Sequence, residues 1–263
     1  MPELPEVEAV CRKLRESIVG AQIRSVDARR CAAESVERLA TGRRITAVER
    51  RAKHILIRLS QGHTLHVHLR MTGNLYAIPD VRLHPADARV VFGLTGKAGM
   101  IYADPRALGR LEVVETAAVD AAMAELGPEP LGDHFTSEVL AKAAKASRQP
   151  AKLFLMDQTK VAGLGNIYVA EALFRARIDP RKPLSRLKRP RIDRLHAEIV
   201  SILHDALQSA CRAYAGPGEF SEAEDFPLAV YGREGEPCEI CTSPIRRIAQ
   251  GRRSTYYCAH CQK

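Results

Sequence analysis

The chain has 263 residues, 46% of them hydrophobic, which is enough for one large globular domain or two ordinary ones. Its formal net charge is +9 and its pI is about 9.3, so a polyanion such as nucleic acid is the favoured partner, with a solvated basic surface as the alternative. No run of about 18 apolar residues occurs and the first residues are acidic and polar, so we expect no transmembrane helix, no secretory signal and a cytoplasmic location.

The first eight residues, MPELPEVE, place a proline at position 2 close to two carboxylates. Removal of Met1 would leave a free secondary amine on Pro2, with Glu3 and Glu6 nearby. An α-amino group has a pKa of about 7.7–8.0, so part of it is nucleophilic at neutral pH. Such an amine can attack sugar C1′ or a carbonyl carbon and form a Schiff base, while a carboxylate moves the protons. Taken alone, however, these residues favour a plain turn followed by a helix start.

The hydrophobic pattern changes twice along the chain. Apolar residues three and four apart predict a helix from Val7 to Ile18, which ends at Gly20. From Ile23 to about Val114, apolar and polar residues alternate, which predicts the short strands of a β-sandwich. A Gly- and Pro-rich stretch at 127–132 predicts an interdomain linker. Beyond it the pattern is helical, with helices expected at 137–146, 150–157, 167–177 and 191–214, and a loop at 215–227.

A glycine turn precedes one of these helices. The sequence Gly163-Leu164-Gly165-Asn166 predicts a tight turn, with Asn166 as a cap of the helix that starts at Ile167. Backbone N–H groups at such a turn, together with the Asn166 amide, can donate to a phosphate. A purely structural corner between two helices has the same pattern, and the two interpretations stay level here.

Four of the seven cysteines are regularly spaced. Cys238-x-x-Cys241 is followed after sixteen residues by Cys258-x-x-Cys261, a spacing typical of a tetrathiolate zinc site. Four thiolates leave no open ligand position, so the metal is predicted to be structural, supporting a small hairpin. That hairpin carries arginines, which favour nucleic-acid binding; they are Arg246, Arg247, Arg252 and Arg253. The remaining cysteines are predicted to be buried hydrophobes: Cys11, Cys31 and Cys211.

The amine-generating start, the glycine–Asn turn and the basic four-cysteine finger occur together over the whole chain, and their combination resembles the formamidopyrimidine-DNA glycosylase family. Matching stretches include 1–8, 51–53, 68–73, 104–106, 126–131, 155–157, 163–168, 230–241 and 257–263. The resemblance implies an α+β fold: an N-terminal β-sandwich with an N-terminal helix, then a helix–two-turn–helix domain ending in a zinc-ribbon finger. The implied boundaries are 1–126 for the catalytic domain, 127–134 for the linker, 135–227 for the helical domain and 228–263 for the finger.

The same resemblance implies a role for each matching residue. Pro2 is similar to the nucleophile that attacks C1′ of the damaged nucleotide, and Glu3 to the acid that opens the sugar ring. Glu6 is expected to contact the substrate, and Lys53 matches the family's catalytic-site lysine, which contacts phosphate near the lesion. The remaining matches are DNA contacts: His68, Asn166 and Arg253 as phosphate ligands, and Met71, Arg106 and Leu108 as side chains that fill the gap left by the extruded base.

The implied activity is that of a bifunctional DNA glycosylase and AP lyase, which excises oxidised purines through the Pro2 amine and cuts the strand by β- and δ-elimination. The expected partner is double-stranded DNA with a damaged base or abasic site, bound by a monomer in the bacterial cytosol and nucleoid; one structural Zn²⁺ is the only cofactor expected.

The chain departs from the family pattern at two places. Ala107 and Leu108 stand where the family usually has Arg and Phe, and the 215–227 loop lacks the usual Gly-Gly-Thr-Thr-like start. Lesion preference, 8-oxoguanine above all, therefore stays open. Two alternatives remain: an endonuclease VIII-like enzyme for oxidised pyrimidines, against which Leu4 and the 126–131 segment argue, and a DNA-binding protein without catalysis, against which Pro2, Glu3 and Lys53 argue.

Overall fold

The computed structural model describes residues 2–28, 33–214 and 226–263, which divide into two compact units. The first comprises Met1–Glu125 with Leu207–Glu224, and the second comprises Leu126–Ala206 with Asp225–Lys263. The predicted loop at 215–227 and Cys31 lie wholly or largely outside the described residues. No helix in the described ranges has the length and apolar character needed to cross a membrane.

The first unit is built on two antiparallel sheets of four strands each. One sheet has the strand order β1-β6-β7-β5 and the other the order β2-β3-β4-β8. The helices and strands are α1 (Leu4–Ile18), β1 (Ile23–Ala28), α2 (Ala33–Ala40), β2 (Ile45–Arg51), β3 (His54–Leu59), β4 (His63–His68), β5 (Asn74–Ile78), β6 (Val90–Leu94), β7 (Gly99–Ala103), β8 (Arg110–Glu115) and α3 (Thr116–Ala124). The predicted β-sandwich with an N-terminal helix is confirmed, while α2 and α3 were not predicted.

Alternation along β3 and β4 separates the core from a polar face. Ile55 pairs with Val67 and both are fully buried, whereas His54 pairs with His68 on the opposite face of the sheet. The apolar stripe of α1 packs into the same core, and the helix begins at Leu4, three residues before the predicted start. The face opposite the core therefore carries polar side chains, among them the buried Thr64 and His66.

The second unit is helical and ends in a two-stranded hairpin. It contains α4 (Ser137–Lys145), α5 (Ala151–Met156), α6 (Asn166–Arg175), most of α7 (Arg189–Ala213), β9 (Arg246–Gln250) and β10 (Arg253–Tyr257). The prediction that Asn166 caps its helix is wrong: Gly165 occupies the cap and makes no side-chain capping bond, and Asn166 is the first helical residue. Helix α6 also ends at Arg175, two residues early, because Arg177 adopts a left-handed conformation with φ of 57°.

Candidate active-site and DNA-contact residues

The predicted nucleophile and its neighbouring acids lie at the start of α1. Pro2 and Glu3 are buried, and Glu6 is 6% exposed. The backbone N–H of Glu3 donates to Glu6 Oε2 at 2.8 Å, so one carboxylate fixes the backbone of the other where the helix begins. Carboxylates are favoured here because the first N–H groups of a helix carry positive partial charge. Met1 lies outside the described residues, so its removal stays a prediction.

A shielded arginine connects α1 to the turn that carries Lys53. Arg50 donates to Glu8 Oε2 at 2.9 Å and to the carbonyl oxygen of Ala52 at 3.0 Å, and its side chain is only 9% exposed. Ala52 has a φ of 51°, the left-handed conformation that turns the chain between β2 and β3. Lys53 follows at once and is half-buried. The start of α1 and the Lys53 turn therefore belong to one bonded network.

His68 ends β4 with one ring nitrogen already occupied. The backbone N–H of Arg70 donates to His68 Nδ1 at 3.1 Å, so the imidazole proton lies on Nε2. Burial, together with the positive charges of Arg70 and Lys53, lowers the pKa of His68 to about 4. The result is a neutral histidine that offers a single N–H donor close to a lysine, which is a suitable arrangement for a phosphate oxygen.

Three exposed side chains lie on two loops of the first unit. Met71 is 44% exposed and Leu108 is 50% exposed, although both are apolar, and Arg106 is exposed two residues before Leu108. Ala107 has a φ of 55°, so the chain turns sharply between Arg106 and Leu108. Exposed apolar side chains on turns are candidates for contact with another molecule.

A buried aspartate joins these two loops. Asp104 accepts hydrogen bonds from Thr72 Oγ1 at 2.6 Å and from the backbone N–H of Gly109 at 2.7 Å. Thr72 follows Met71, and Gly109 follows Leu108, so one carboxylate positions both loops. A side chain at position 109 is excluded, because a Cβ there would lie 2.2 Å from the hydroxyl oxygen of Tyr102.

In the second unit, a glutamine shapes the turn that leads to Asn166. Gln158 donates through Nε2 to the carbonyl oxygen of Leu164 at 2.9 Å and accepts from the backbone N–H of Gly163 at 2.8 Å. Asn166 Oδ1 is buried and makes no hydrogen bond within the described residues. The turn is thus held rigidly from inside, and the Asn166 amide keeps hydrogen-bonding capacity for a ligand.

The four cysteines of the finger lie close together. Their sulfurs all lie within 4.8 Å of one another, with 3.9 Å between Cys238 and Cys261 and 3.4 Å between Cys241 and Cys258. Tetrahedral zinc with Zn–S bonds of about 2.3 Å requires sulfur–sulfur separations of about 3.8 Å, so the donor set fits one zinc ion with no free ligand position.

Arg252 and Arg253 lie at the turn end of the hairpin, away from the cysteines, whereas Arg246 starts β9 opposite Tyr257, which directly precedes Cys258. Arg253 is exposed at the start of β10, next to the Gly251–Arg252 turn. Lys152 is fully buried below it and donates through Nζ to the carbonyl oxygen of Ser254 at 2.6 Å and to Thr255 Oγ1 at 2.7 Å. A buried ammonium therefore holds the strand that carries Arg253. Of the remaining cysteines, Cys11 is buried and Cys211 is half-buried.

Comparison with known proteins gives a consistent result over the whole length. Three family models match: the formamidopyrimidine-DNA glycosylase N-terminal domain at residues 1–111, the formamidopyrimidine-DNA glycosylase H2TH domain at 126–214, and the zinc finger found in FPG and IleRS at 235–263. Proteins named formamidopyrimidine-DNA glycosylase from Roseobacter denitrificans and Caulobacter vibrioides are each 40% identical, with all of both chains covered. This chain belongs to the formamidopyrimidine-DNA glycosylase family.

Solved structures of the family agree with this membership. The Lactococcus lactis Fpg in complex with DNA containing an abasic site superposes with a TM-score of 0.89 at 32% identity, over all of both chains. The Thermus thermophilus MutM (Fpg) protein has a TM-score of 0.82 at 36% identity, covering 99% of this chain and 98% of that one. The α+β fold, with its sandwich, helical domain and zinc finger, is confirmed for this member.

The predicted residues fall into groups. Pro2 and Glu3 directly precede α1 and Glu6 lies in its first turn, while Arg50 joins Glu8 of the same helix to Ala52, the residue before Lys53. The loops of Met71 and Leu108 are joined, whereas Asn166 and Arg253 lie on separate elements of the second unit.

Sequence reasoning missed the residues that position the predicted ones. They are Asp104, Lys152 and Gln158. Asp104 is the first residue of the Asp-Pro-Arg motif at 104–106, which was a signal for it, but Lys152 bonds a hydroxyl 103 residues away, which no local pattern reveals.

Proposed function

We propose that this family member is a bifunctional DNA glycosylase and AP lyase of base excision repair that removes oxidised purines. The observation that carries the proposal is the full-length membership of the glycosylase family together with an intact, buried Pro2–Glu3 pair at the start of α1. The curated relatives are named for glycosylase activity, and the L. lactis relative is solved in complex with DNA that contains an abasic site.

The chemistry uses the Pro2 amine as nucleophile. Its lone pair forms a bond to C1′ as the C1′–base bond breaks, and Glu3 protonates the ring oxygen so that the sugar opens to an iminium ion. The iminium acidifies the C2′ hydrogens. Loss of one of them breaks the C3′–O bond by β-elimination, and a further proton loss breaks the C5′–O bond by δ-elimination. Hydrolysis of the iminium ion then releases the sugar fragment as an aldehyde and regenerates the Pro2 amine.

DNA binding in this proposal combines phosphate contacts with wedging. An enzyme acting at C1′ must rotate the nucleotide out of the stack, which costs a few kcal/mol. Lys53, His68, Asn166 and Arg253 would bind phosphates of the kinked strand, and Glu6 would contact the substrate at the helix start. The exposed side chains of Met71, Arg106 and Leu108 would occupy the vacated space.

Lesion choice is the finer part of the proposal. Leu108 fills the vacated space with aliphatic surface, which stacks less favourably on a base than an aromatic ring does. We therefore expect formamidopyrimidines to be excised, with 8-oxoguanine processed more slowly. Incision of a panel of duplexes, each with one defined lesion, decides this; a preference for oxidised pyrimidines would assign the chain to endonuclease VIII-like activity instead.

The proposed domains follow one another along the chain: a catalytic domain at 1–126, a linker at 127–134, a helical DNA-binding domain at 135–227 and a zinc finger at 228–263. Zinc bound by the four cysteines supplies structural support for the hairpin that carries Arg253. We further propose that the enzyme acts as a monomer in the bacterial cytosol, associated with the nucleoid.

The test is covalent trapping. Borohydride should reduce the iminium ion formed between the Met1-processed protein and abasic-site DNA, giving a stable complex. Pro2→Glu should abolish it, because a bulky second residue keeps Met1 in place and so leaves no free amine at position 2. Arg12→Ala, which removes an exposed side chain from the same helix, is the matched control and should trap normally. Failure of the wild-type protein to trap with oxidised purine, oxidised pyrimidine and abasic DNA would leave a DNA-binding protein without catalysis.

A further inference from the structure

A chain of three side chains lies beside the proposed phosphate ligands and has no part in the chemistry above. His66 Nδ1 lies 3.0 Å from Glu112 Oε1, and His66 Nε2 lies 2.8 Å from His54 Nδ1. The His54 ring in turn contacts His68 edge to face, with 4.7 Å between ring centroids. The His66 side chain is 9% exposed and that of Glu112 is 28% exposed, so the chain runs from a partly solvated carboxylate into the interior of the polar face.

Strand pairing fixes this arrangement. His54 pairs with His68, His66 pairs with Glu112, and His68 pairs with Arg110, so all five side chains lie on one face of the sheet. The face opposite is the apolar core. The cluster is therefore held by backbone register and not by mobile loops.

The hydrogen bonds determine where the protons lie. An ionised carboxylate only accepts, so His66 carries a proton on Nδ1. The contact between His66 and His54 needs one more proton. When both rings are neutral, His54 Nδ1 donates to His66 Nε2, and the outer nitrogen of His54, Nε2, is then a bare acceptor.

One added proton reverses this pattern. A solvent proton that binds His54 Nε2 allows the Nδ1 proton to pass to His66 Nε2. His66 becomes an imidazolium ion that donates to Glu112, and its positive charge is stabilised by that carboxylate. His54 stays neutral, but its outer nitrogen has changed from acceptor to donor.

We propose that Glu112, His66 and His54 form a proton relay through which this protein takes up one proton when it binds a DNA phosphate beside Lys53 and His68. The inference rests on the proposed function, because it needs a phosphate at this edge of the sheet. A phosphate repels a bare acceptor nitrogen and attracts an N–H donor. Phosphate binding and protonation of the Glu112–His66–His54 relay therefore stabilise each other.

The groups that face the cluster support this direction of coupling. Without DNA, burial lowers the pKa of His54 to about 3, and the neighbouring His68, His66, Arg70 and Arg110 act in the same direction. His54 is therefore uncharged in the free protein at neutral pH, and an arriving phosphate raises the proton affinity of its outer nitrogen.

The remaining neighbours do not provide an alternative proton acceptor. Lys53, which precedes His54, and Arg51, which pairs with it on β2, are cations. Arg110 donates to Glu112 at 2.8 Å and is also already charged. His68 cannot accept at Nδ1 without breaking its bond from the Arg70 N–H, because two N–H groups would then face each other.

Calorimetry tests the relay directly. Binding of a duplex with a tetrahydrofuran abasic analogue is measured at pH 6.5 and constant ionic strength in PIPES and in bis-tris, whose different ionisation enthalpies report the protons taken up. We expect the wild-type protein to take up a large fraction of one proton, and Glu112→Gln and His66→Leu to take up less than about half of that amount. His63→Gln is the matched control, since His63 lies on the same strand but bonds the Gln61 carbonyl oxygen instead, and should match wild type.

Histidine ¹⁵N NMR of the wild-type protein gives a second readout that does not depend on a variant folding. We expect His54 to carry its proton on Nδ1 in the free protein and on Nε2 in the complex, with His66 doubly protonated only in the complex. Absence of proton uptake, uptake that Glu112→Gln leaves intact, or an unchanged His54 tautomer would overturn the relay. If borohydride trapping succeeds in those same preparations, the relay alone fails; if wild type neither binds nor traps, the proposed function fails with it.

Discussion

Replacing Lys152 with methionine should weaken both the second unit and DNA binding, although Lys152 is fully buried and cannot touch DNA itself. Its Nζ donates to the Ser254 carbonyl oxygen and to Thr255 Oγ1, at 2.6 and 2.7 Å. Thr255 is 1% exposed, so its oxygen loses a donor that water cannot replace, while half-buried Ser254 is partly compensated by solvent. A buried polar group left without a partner costs about 1–3 kcal/mol, so we expect the free energy of unfolding to fall by roughly 2–3 kcal/mol. Methionine keeps the length and apolar stem of the side chain, so little cavity forms.

The assay is thermal unfolding, together with Kd for abasic-analogue DNA across a salt series. A loss of this size corresponds to roughly 4–12 °C in Tm for a chain of this length. Because β10 carries Arg253, the contact made by that arginine should also weaken. Lys145→Met is the matched control: it removes the same charge from an exposed position on α4 and should leave Tm unchanged. An equal fall in affinity in both variants, with no change in Tm for Lys152→Met, would show that only net charge matters and would refute the positioning argument.

Three further predictions address other parts of the chain. Cys258→Ser should release zinc, measured by a chromogenic chelator, and weaken DNA binding because the hairpin loses its support; unchanged affinity would remove the finger from the DNA contacts. Gly109→Ala should lower the free energy of unfolding by about 1–3 kcal/mol, because its Cβ would overlap the Tyr102 hydroxyl. The variant should lose more excision activity than affinity for intact DNA. Normal excision would show that the Leu108 loop tolerates displacement. Burial raises the pKa of the Cys11 thiol well above its ordinary value, so the thiol should not react in the folded protein. Peptide mapping after iodoacetamide treatment at pH 8 should find Cys11 modified only in unfolded protein. Modification of the native protein would contradict the burial of Cys11.

Local pattern was sufficient where neighbouring residues decide the structure. The alternation around Ile55 and Val67 predicted strands because side chains of a strand point to opposite faces in turn. The knuckle spacing predicted the zinc site because each pair of cysteines is only three residues apart. The start of α6 was mispredicted because Asn and Gly are both good caps, and the choice of Gly165 depends on the turn held by Gln158.

The sequence by itself determined the family, the order of sandwich, helices and finger, the four cysteine ligands and the identity of the candidate nucleophile, since these depend on residue type and spacing. Only the tertiary structure showed that Asp104 joins two distant loops, that Lys152 holds the strand of Arg253, and that Glu112, His66 and His54 form one hydrogen-bonded chain. The physical reason is the same in each case. Apart from the Asp104–Gly109 bond, which spans five positions, these contacts join residues from 12 to 103 positions apart. Strand register and burial, which no local window contains, decide which of these polar groups meet.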